Sequence, residues 1–241
     1  MKSKILVWLS GDYTHFCMSH YLEKSYDCDL YGIVDVPEKQ KFFFENQQFV
    51  NFKKIWHTLD NILKNHKPDI NNLIKFEKNY NINLWNMAIN ERLFYRFNLE
   101  KFSDEEILSI LEQECLLFEK ILNEVKPDFL ITKWASRHYH QLLIELCFKR
   151  GIKVLQLGQP KIGYKMLISQ DPSKIDGVVN LDGIVSKNRD FSQLQTFVKN
   201  FNMSKQQKEY DTKKQTKLGF LNTGLEYIFS KNELDENHYD Y

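Results

Sequence analysis

Glycine and proline are scarce in this 241-residue chain, at nine and five, which excludes a collagen-like repeat and a flexible low-complexity protein. Cysteine is sparse as well. Cys17, Cys28, Cys115 and Cys147 stand far apart, with no C-x-x-C pair and no His-rich partner segment, so the spacing predicts reduced, buried thiols rather than a zinc site or disulfide framework. Long apolar runs are missing. "ILVWL" and "FLI" fall far short of the roughly 20 residues needed to cross a bilayer. The opening "MKSKILVWLSGDY" has five apolar residues before Ser10, against about 7 to 15 in a secretion signal, so a cytoplasmic protein without an integral membrane segment is expected. No charge sign dominates. A net charge of +1 gives no electrostatic case for nucleic acid as a partner. G-x-G-x-x-G, G-x-x-x-x-G-K-[ST] and G-x-S-x-G are all absent, which removes the dinucleotide fingerprint, the phosphate loop and the hydrolase elbow. Neither a cofactor nor a metal is predicted.

What is present is a packed α/β pattern. Residues 4–9 read as a strand, 14–25 as a helix carrying Phe16, Met18, Tyr21 and Leu22, and "CDLYGIVDV" (28–36) as a strand closed by Pro37. That is one βαβ unit. "FVNFKKIW" (49–56) alternates as a further strand, and 59–101 reads as a mainly helical insertion. Ser103 and Glu106 form a capping box ahead of Ile107, Leu108, Leu111, Cys115, Phe118, Ile121, Leu122 and Val125, which predicts a long amphipathic helix ending at Lys126 and Pro127. "DFLIT", a polar loop, "HYHQLLIELCFKR", Gly151 and "IKVLQL" form a second βαβ unit over about 128–157. The expected fold is therefore α/β, an open parallel sheet with helices on both faces, over residues 1–200. "FSQLQTFVKNF" suggests another helix, and 201–241 reads as a polar linker and tail with room for a C-terminal helix.

In an open parallel sheet, ligands bind beyond the carboxyl ends of the strands, which singles out three loops. "SGDYTH" offers Ser10, Gly11, Asp12, Thr14 and His15, and has two readings. Asp12 or Thr14 caps the next helix, or His15 serves as a general base. "KWASRHYH" brings Lys133, Arg137, His138 and His140 around Trp134 to a helix start, a composition suited to phosphate or carboxylate recognition with Trp134 or Tyr139 as an aromatic platform, or to a solvated loop with an aromatic anchor. His138 and His140 are two apart and point to different sides of a helix, which argues against a metal pair. "GQPKIGYKMLIS" contributes Gln159, Lys161 and Tyr164 as a substrate loop, or as a crossing to another domain. Glu91, Arg92 and Arg96 read mainly as a solvated helix face, and Glu105, Glu106, Glu112 and Glu114 mostly as the exposed side of the long helix.

Taken together, "KILVWLSGDYTHF" and "FEKILNEVKPDFLITKWASRHYHQLLIELCFKRGIKVLQL" resemble the N-terminal half of bacterial and archaeal surface or capsular polysaccharide glycosyltransferases of GT-B architecture, over some two thirds of the chain. The resemblance implies a Rossmann-like acceptor-side domain that works with a separate donor-binding domain on a nucleotide sugar and a glycan acceptor, with membrane association at most peripheral. It also implies that His15, just after the first strand, is the catalytic base. The alternative is a non-catalytic Rossmann-like module that binds a sugar, a nucleotide or a partner protein.

Overall fold

A computed structural model describes residues 2–36, 38–89, 91, 94–96, 99–100, 102–158, 166–171 and 190–200. In chain order the elements are β1 (Ser3–Ser10), α1 (Thr14–Ser25), β2 (Cys28–Asp35), α2 (Glu38–Asn46), β3 (Phe52–His57), a short 3-10 turn (Leu59–Asn61), α3 (Ile70–Tyr80), α4 (Leu84–Ile89), β4 (Tyr95–Arg96), β5 (Leu99–Glu100), α5 (Asp104–Val125), β6 (Phe129–Lys133), α6 (His138–Lys149), β7 (Lys153–Gly158), β8 (Leu167–Ser169) and α7 (Phe191–Asn200).

Six strands form one sheet in the order β3-β2-β1-β6-β7-β8, parallel except for β8, which pairs antiparallel with β7. Alternation along the central strands sorts their side chains onto two faces. Ile5, Val7 and Leu9 of β1 meet Phe16 of α1 and Phe44 of α2, while Leu6 and Trp8 face the core built by α3 to α6. Both faces of the sheet are thus covered by helices, as a Rossmann-like α/β fold requires. The order of the strands reverses between β1 and β6, so the loops after these two strands emerge side by side.

The long helix begins where the capping box places it. The Ser103 hydroxyl accepts the Glu106 N–H, and the Glu106 carboxylate accepts the Ser103 N–H at 2.7 Å. Its expected exposed side is partly buried, which corrects the reading of Glu112 and Glu114. Glu112 accepts from the Asp69 N–H and faces His66 Nε2 at 2.8 Å, and Gln113 both accepts the Leu63 N–H and donates to its carbonyl. Irregular backbone between β3 and α3 has no ladder to join, so α5 supplies its polar partners.

Four further differences have local causes. The third strand begins at Phe52 rather than 49, because the Gln47 side chain accepts the Phe49 and Val50 N–H groups and folds that stretch into a turn. Helix α2 was not foreseen; its Phe43 and Phe44 pack on Tyr13 and Phe16. The segment 59–101 is less helical than expected, since it includes the β4–β5 hairpin. All four cysteines are free, but only Cys115 and Cys147 are buried, with thiols raised by burial; Cys17 is exposed. Among the described residues no helix is long and apolar enough to cross a membrane. The segment 201–241 lies outside the described residues.

Candidate functional site at the carboxyl edge of the sheet

The loop after β1 is short and strained. Tyr13 adopts a left-handed conformation (φ 57°), uncommon for a bulky residue; its N–H donates to the Ser10 carbonyl, and its ring lies against Phe43 and Phe44. Asp12 Oδ1 accepts the Thr14 N–H at 2.9 Å, so the carboxylate secures the start of α1. Gly11 leaves the space into which the Gln40 amide projects: a Cβ there would stand 2.5 Å from Gln40 Oε1.

In the first turn of α1, His15 is 3% exposed, and neither ring nitrogen has a hydrogen-bond partner among the described residues. Burial lowers its pKa below the usual imidazole value; the Thr132 carbonyl and the Asp12 charge oppose that shift, and Lys133 adds to it. The ring is therefore neutral near pH 7, in the form that accepts a proton. Asp12 acts on it through space rather than by a hydrogen bond.

The loop after β6 divides its polar residues between two jobs. Lys133 is half-buried, close enough to both His15 and His140 to disfavour their protonation. Trp134 lies over Gly158 at the end of β7, so close that a Cβ on the glycine would sit 1.9 Å from the indole. Arg137 and His138 turn away from the edge into a buried ionic cluster. Arg137 Nη1 is 3.3 Å from Glu91 Oε1, the His138 N–H donates to Glu91 Oε2 at 2.7 Å, and His138 Nδ1 and Nε2 lie 2.9 Å from Glu91 and 2.8 Å from Glu114. The carboxylate anticipated at this helix start is thus supplied by the chain itself. Glu91 is buried, which corrects its reading as part of a solvated helix face. Burial alone would lower the His138 pKa, but Glu114 and Glu91 outweigh it and push it up to about 9, so the ring is an imidazolium.

His140, two residues on, is buried against Trp8 at 4.4 Å between ring centroids and faces the end of β2. Its pKa is pushed well below the ordinary value by burial and by the cations Lys133, His138 and Arg137. Nδ1 lies 3.4 Å from the Ser136 hydroxyl, whereas Nε2 has no hydrogen-bond partner among the described residues and is 3.9 Å from Asp35 Oδ2.

A pattern emerges along this edge. Besides Trp8 Nε1, Glu114 Oε2 and Gln156 Oε1, the buried polar atoms without a hydrogen-bond partner among the described residues are Ser10 Oγ, both nitrogens of His15, Gln40 Oε1, Trp134 Nε1 and His140 Nε2, and these sit at or just beyond the carboxyl ends of β1, β2, β6 and β7. Protein interiors rarely leave such groups unmatched, because each costs on the order of 1–3 kcal/mol. Their concentration where ligands bind in open sheets marks this edge as the candidate site.

Of the residues singled out in the sequence, Ser10, Gly11, Asp12, Thr14, His15, Lys133 and Trp134 lie at this edge, and Arg137 and His138 lie behind it, held by carboxylates. Gln159, Lys161 and Tyr164 lie outside the described residues. Sequence reasoning missed Gln40 and Asp35 as site groups; the position of Asp35, at the end of the second strand, was the one available signal. Among the described residues no three His, Cys, Asp or Glu side chains are grouped to hold a metal ion. Compared with known proteins, the chain matches no family model and no curated sequence.

Proposed function

We propose that the chain is the acceptor-side domain of a cytoplasmic glycosyltransferase that moves a sugar from a nucleotide-sugar donor to a hydroxyl of a glycan in surface polysaccharide synthesis. The observation that carries the reading is His15: a buried, neutral imidazole in the first turn of the helix that follows the first strand, with no hydrogen bond to either ring nitrogen among the described residues. In this reading an acceptor hydroxyl lies against His15, and its proton passes to the imidazole as the oxygen bonds to the anomeric carbon. The bond from that carbon to the nucleotide breaks on the opposite face, and the electron pair leaves with the nucleotide. Asp12 holds the start of α1, and so the ring, in place. Lys133, half-buried beside the histidine, supplies a positive charge for the anionic leaving group.

The chain supplies one wall of such a cleft, and a separate donor-binding domain supplies the other. A non-catalytic sugar- or nucleotide-binding module is the second reading, favoured by the engagement of Arg137 and His138 within the protein, which leaves fewer cations for a phosphate. Incubation of the chain, joined by the donor-binding domain that completes the cleft, with a panel of nucleotide sugars and glycan acceptors, with nucleotide release as the readout, tests the first reading. General-base loss in His15→Ala is expected to lower the rate by about 10² to 10⁴. Equal rates in the two proteins would end the catalytic role of His15, and ligand-induced thermal stabilisation without turnover would leave the binding module.

A further inference from the structure

Helices α1 and α2 lie side by side over one face of the sheet, and Phe16 of α1 meets Phe43 and Phe44 of α2 beneath them. The outer side of such a layer faces water and is ordinarily polar. Here it is aromatic. Tyr21 on α1, Phe42 on α2 and Phe49 just beyond α2 are 69%, 70% and 66% exposed. They belong to one patch: His20 Nδ1 lies 2.7 Å from the Phe49 carbonyl, the His20 ring is 5.7 Å from that of Tyr21, and Phe42 adjoins Phe43, whose ring rests on Tyr13 and Phe16. Three aromatic side chains exposed to that extent present on the order of 400 Å² of surface, the scale of the largest apolar patch on an ordinary monomer. Half-buried Met18, Leu22 and Phe43 extend the patch toward the roughly 800 Å² per partner that a stable association needs.

Charge along the patch points to the partner. Helix α1 has an exposed Asp12 just before its start and an exposed Lys24 in its last turn, with Met18 and Tyr21 between them. Turned end for end, that pattern is complementary to itself. Exposed Glu38 and Glu45 on α2 deny the face the cation excess that an anionic lipid surface or a nucleic acid requires. We propose that the outer face of α1 and α2 is the interface of a two-fold homodimer in which the two α1 helices pack antiparallel. Met18 and Tyr21 of each copy sit near the dyad, Phe42 and Phe49 fill the flanks, and Lys24 of each copy meets Asp12 of the other. The contact is isologous and therefore closes at two copies. The heads of the two α1 helices, and with them the two candidate sites, lie at opposite ends of the helix pair, so the dimer goes beyond the transferase reading and does not depend on it.

Sedimentation of the chain from about 1 to 100 μM tests the interface, and a monomer–dimer equilibrium is expected in that range. Tyr21→Arg places a charge at the dyad and raises the Kd about tenfold or more, and Lys24→Glu raises it about threefold. Ile74→Arg, at an exposed apolar position on α3, leaves it unchanged. If Tyr21→Arg loses the far-UV circular dichroism of the wild type, Phe42→Arg is read instead, with the same expected loss. Cys17, exposed on α1 one turn before Tyr21, labels with a maleimide more slowly in the dimer than in Tyr21→Arg. A monomer at about 100 μM overturns the proposal, whether or not it binds vesicles or another protein. So does a dimer indifferent to Tyr21→Arg and Phe42→Arg, one dissociated by Ile74→Arg, or equal labelling of Cys17 in dimer and monomer.

Discussion

His138 and His140 occupy the same first turn of α6, are equally buried, and end in opposite states. His138 sits between Glu91 and Glu114 and carries a proton to about pH 9; His140 faces three cations and one distant carboxylate and stays neutral. Burial pushes both in the same direction, so the partners decide the outcome. The contrast extends to their neighbourhoods. One is a buried ionic cluster whose side chains pair with one another. The other is an edge where several buried polar atoms have no hydrogen-bond partner among the described residues.

Substitutions should separate the two regions. Glu91→Ala removes the shared acceptor of Arg137 and His138 from a buried ionic cluster, with an expected loss of about 3–5 kcal/mol in denaturant unfolding. A loss below about 1 kcal/mol would show the cluster to be dispensable.

The two histidines also predict opposite pH limbs. The His138 contribution is fully present below the unfolded value near 6.5 and is lost as pH rises through about 9, on the order of 3 kcal/mol across that window. His15 and His140, whose folded pKa values are depressed, act the other way: their stability is present above about 6.5 and is lost as pH falls toward those lower values. Urea unfolding from pH 5 to 10 reads both limbs, and His138→Gln should flatten only the alkaline one.

Smaller effects sharpen the comparison at the edge. Gly158→Ala forces the Trp134 indole off the end of β7, with an expected cost of about 1–3 kcal/mol and a shifted tryptophan emission. Ser10→Ala removes an unmatched buried hydroxyl and should leave stability within about 1 kcal/mol of wild type. A larger loss would mean that the hydroxyl is matched in solution, and the contrast with the Glu91 cluster would collapse.

Much of the frame was legible because its signals are local. The α1 boundaries followed from the apolar spacing after Asp12, the start of α5 from Ser103 and Glu106, and the end of α6 from Gly151, which takes φ 69°. Helix α2 was missed because Pro37 was read only as the end of a strand, although proline beside a helix start is an equally good signal. The ionic cluster was not legible at all. Glu91 lies 46 and 47 residues from Arg137 and His138, and nothing in either segment names the other. For the same reason Arg137 and His138 looked like anion ligands in waiting: the composition was read correctly, but the anion was one of the chain's own carboxylates.

The tether from Glu91 has a consequence for motion. It joins the stretch between α4 and the β4–β5 hairpin to the head of α6, while Glu112 and Gln113 bind the stretch after β3 to α5. Detaching the insertion on its own would expose buried charges without partners, so its backbone amides should exchange with solvent together with those of α5 and α6. A segment that reads as ornamental in the sequence would then belong to the same cooperative unit as the core.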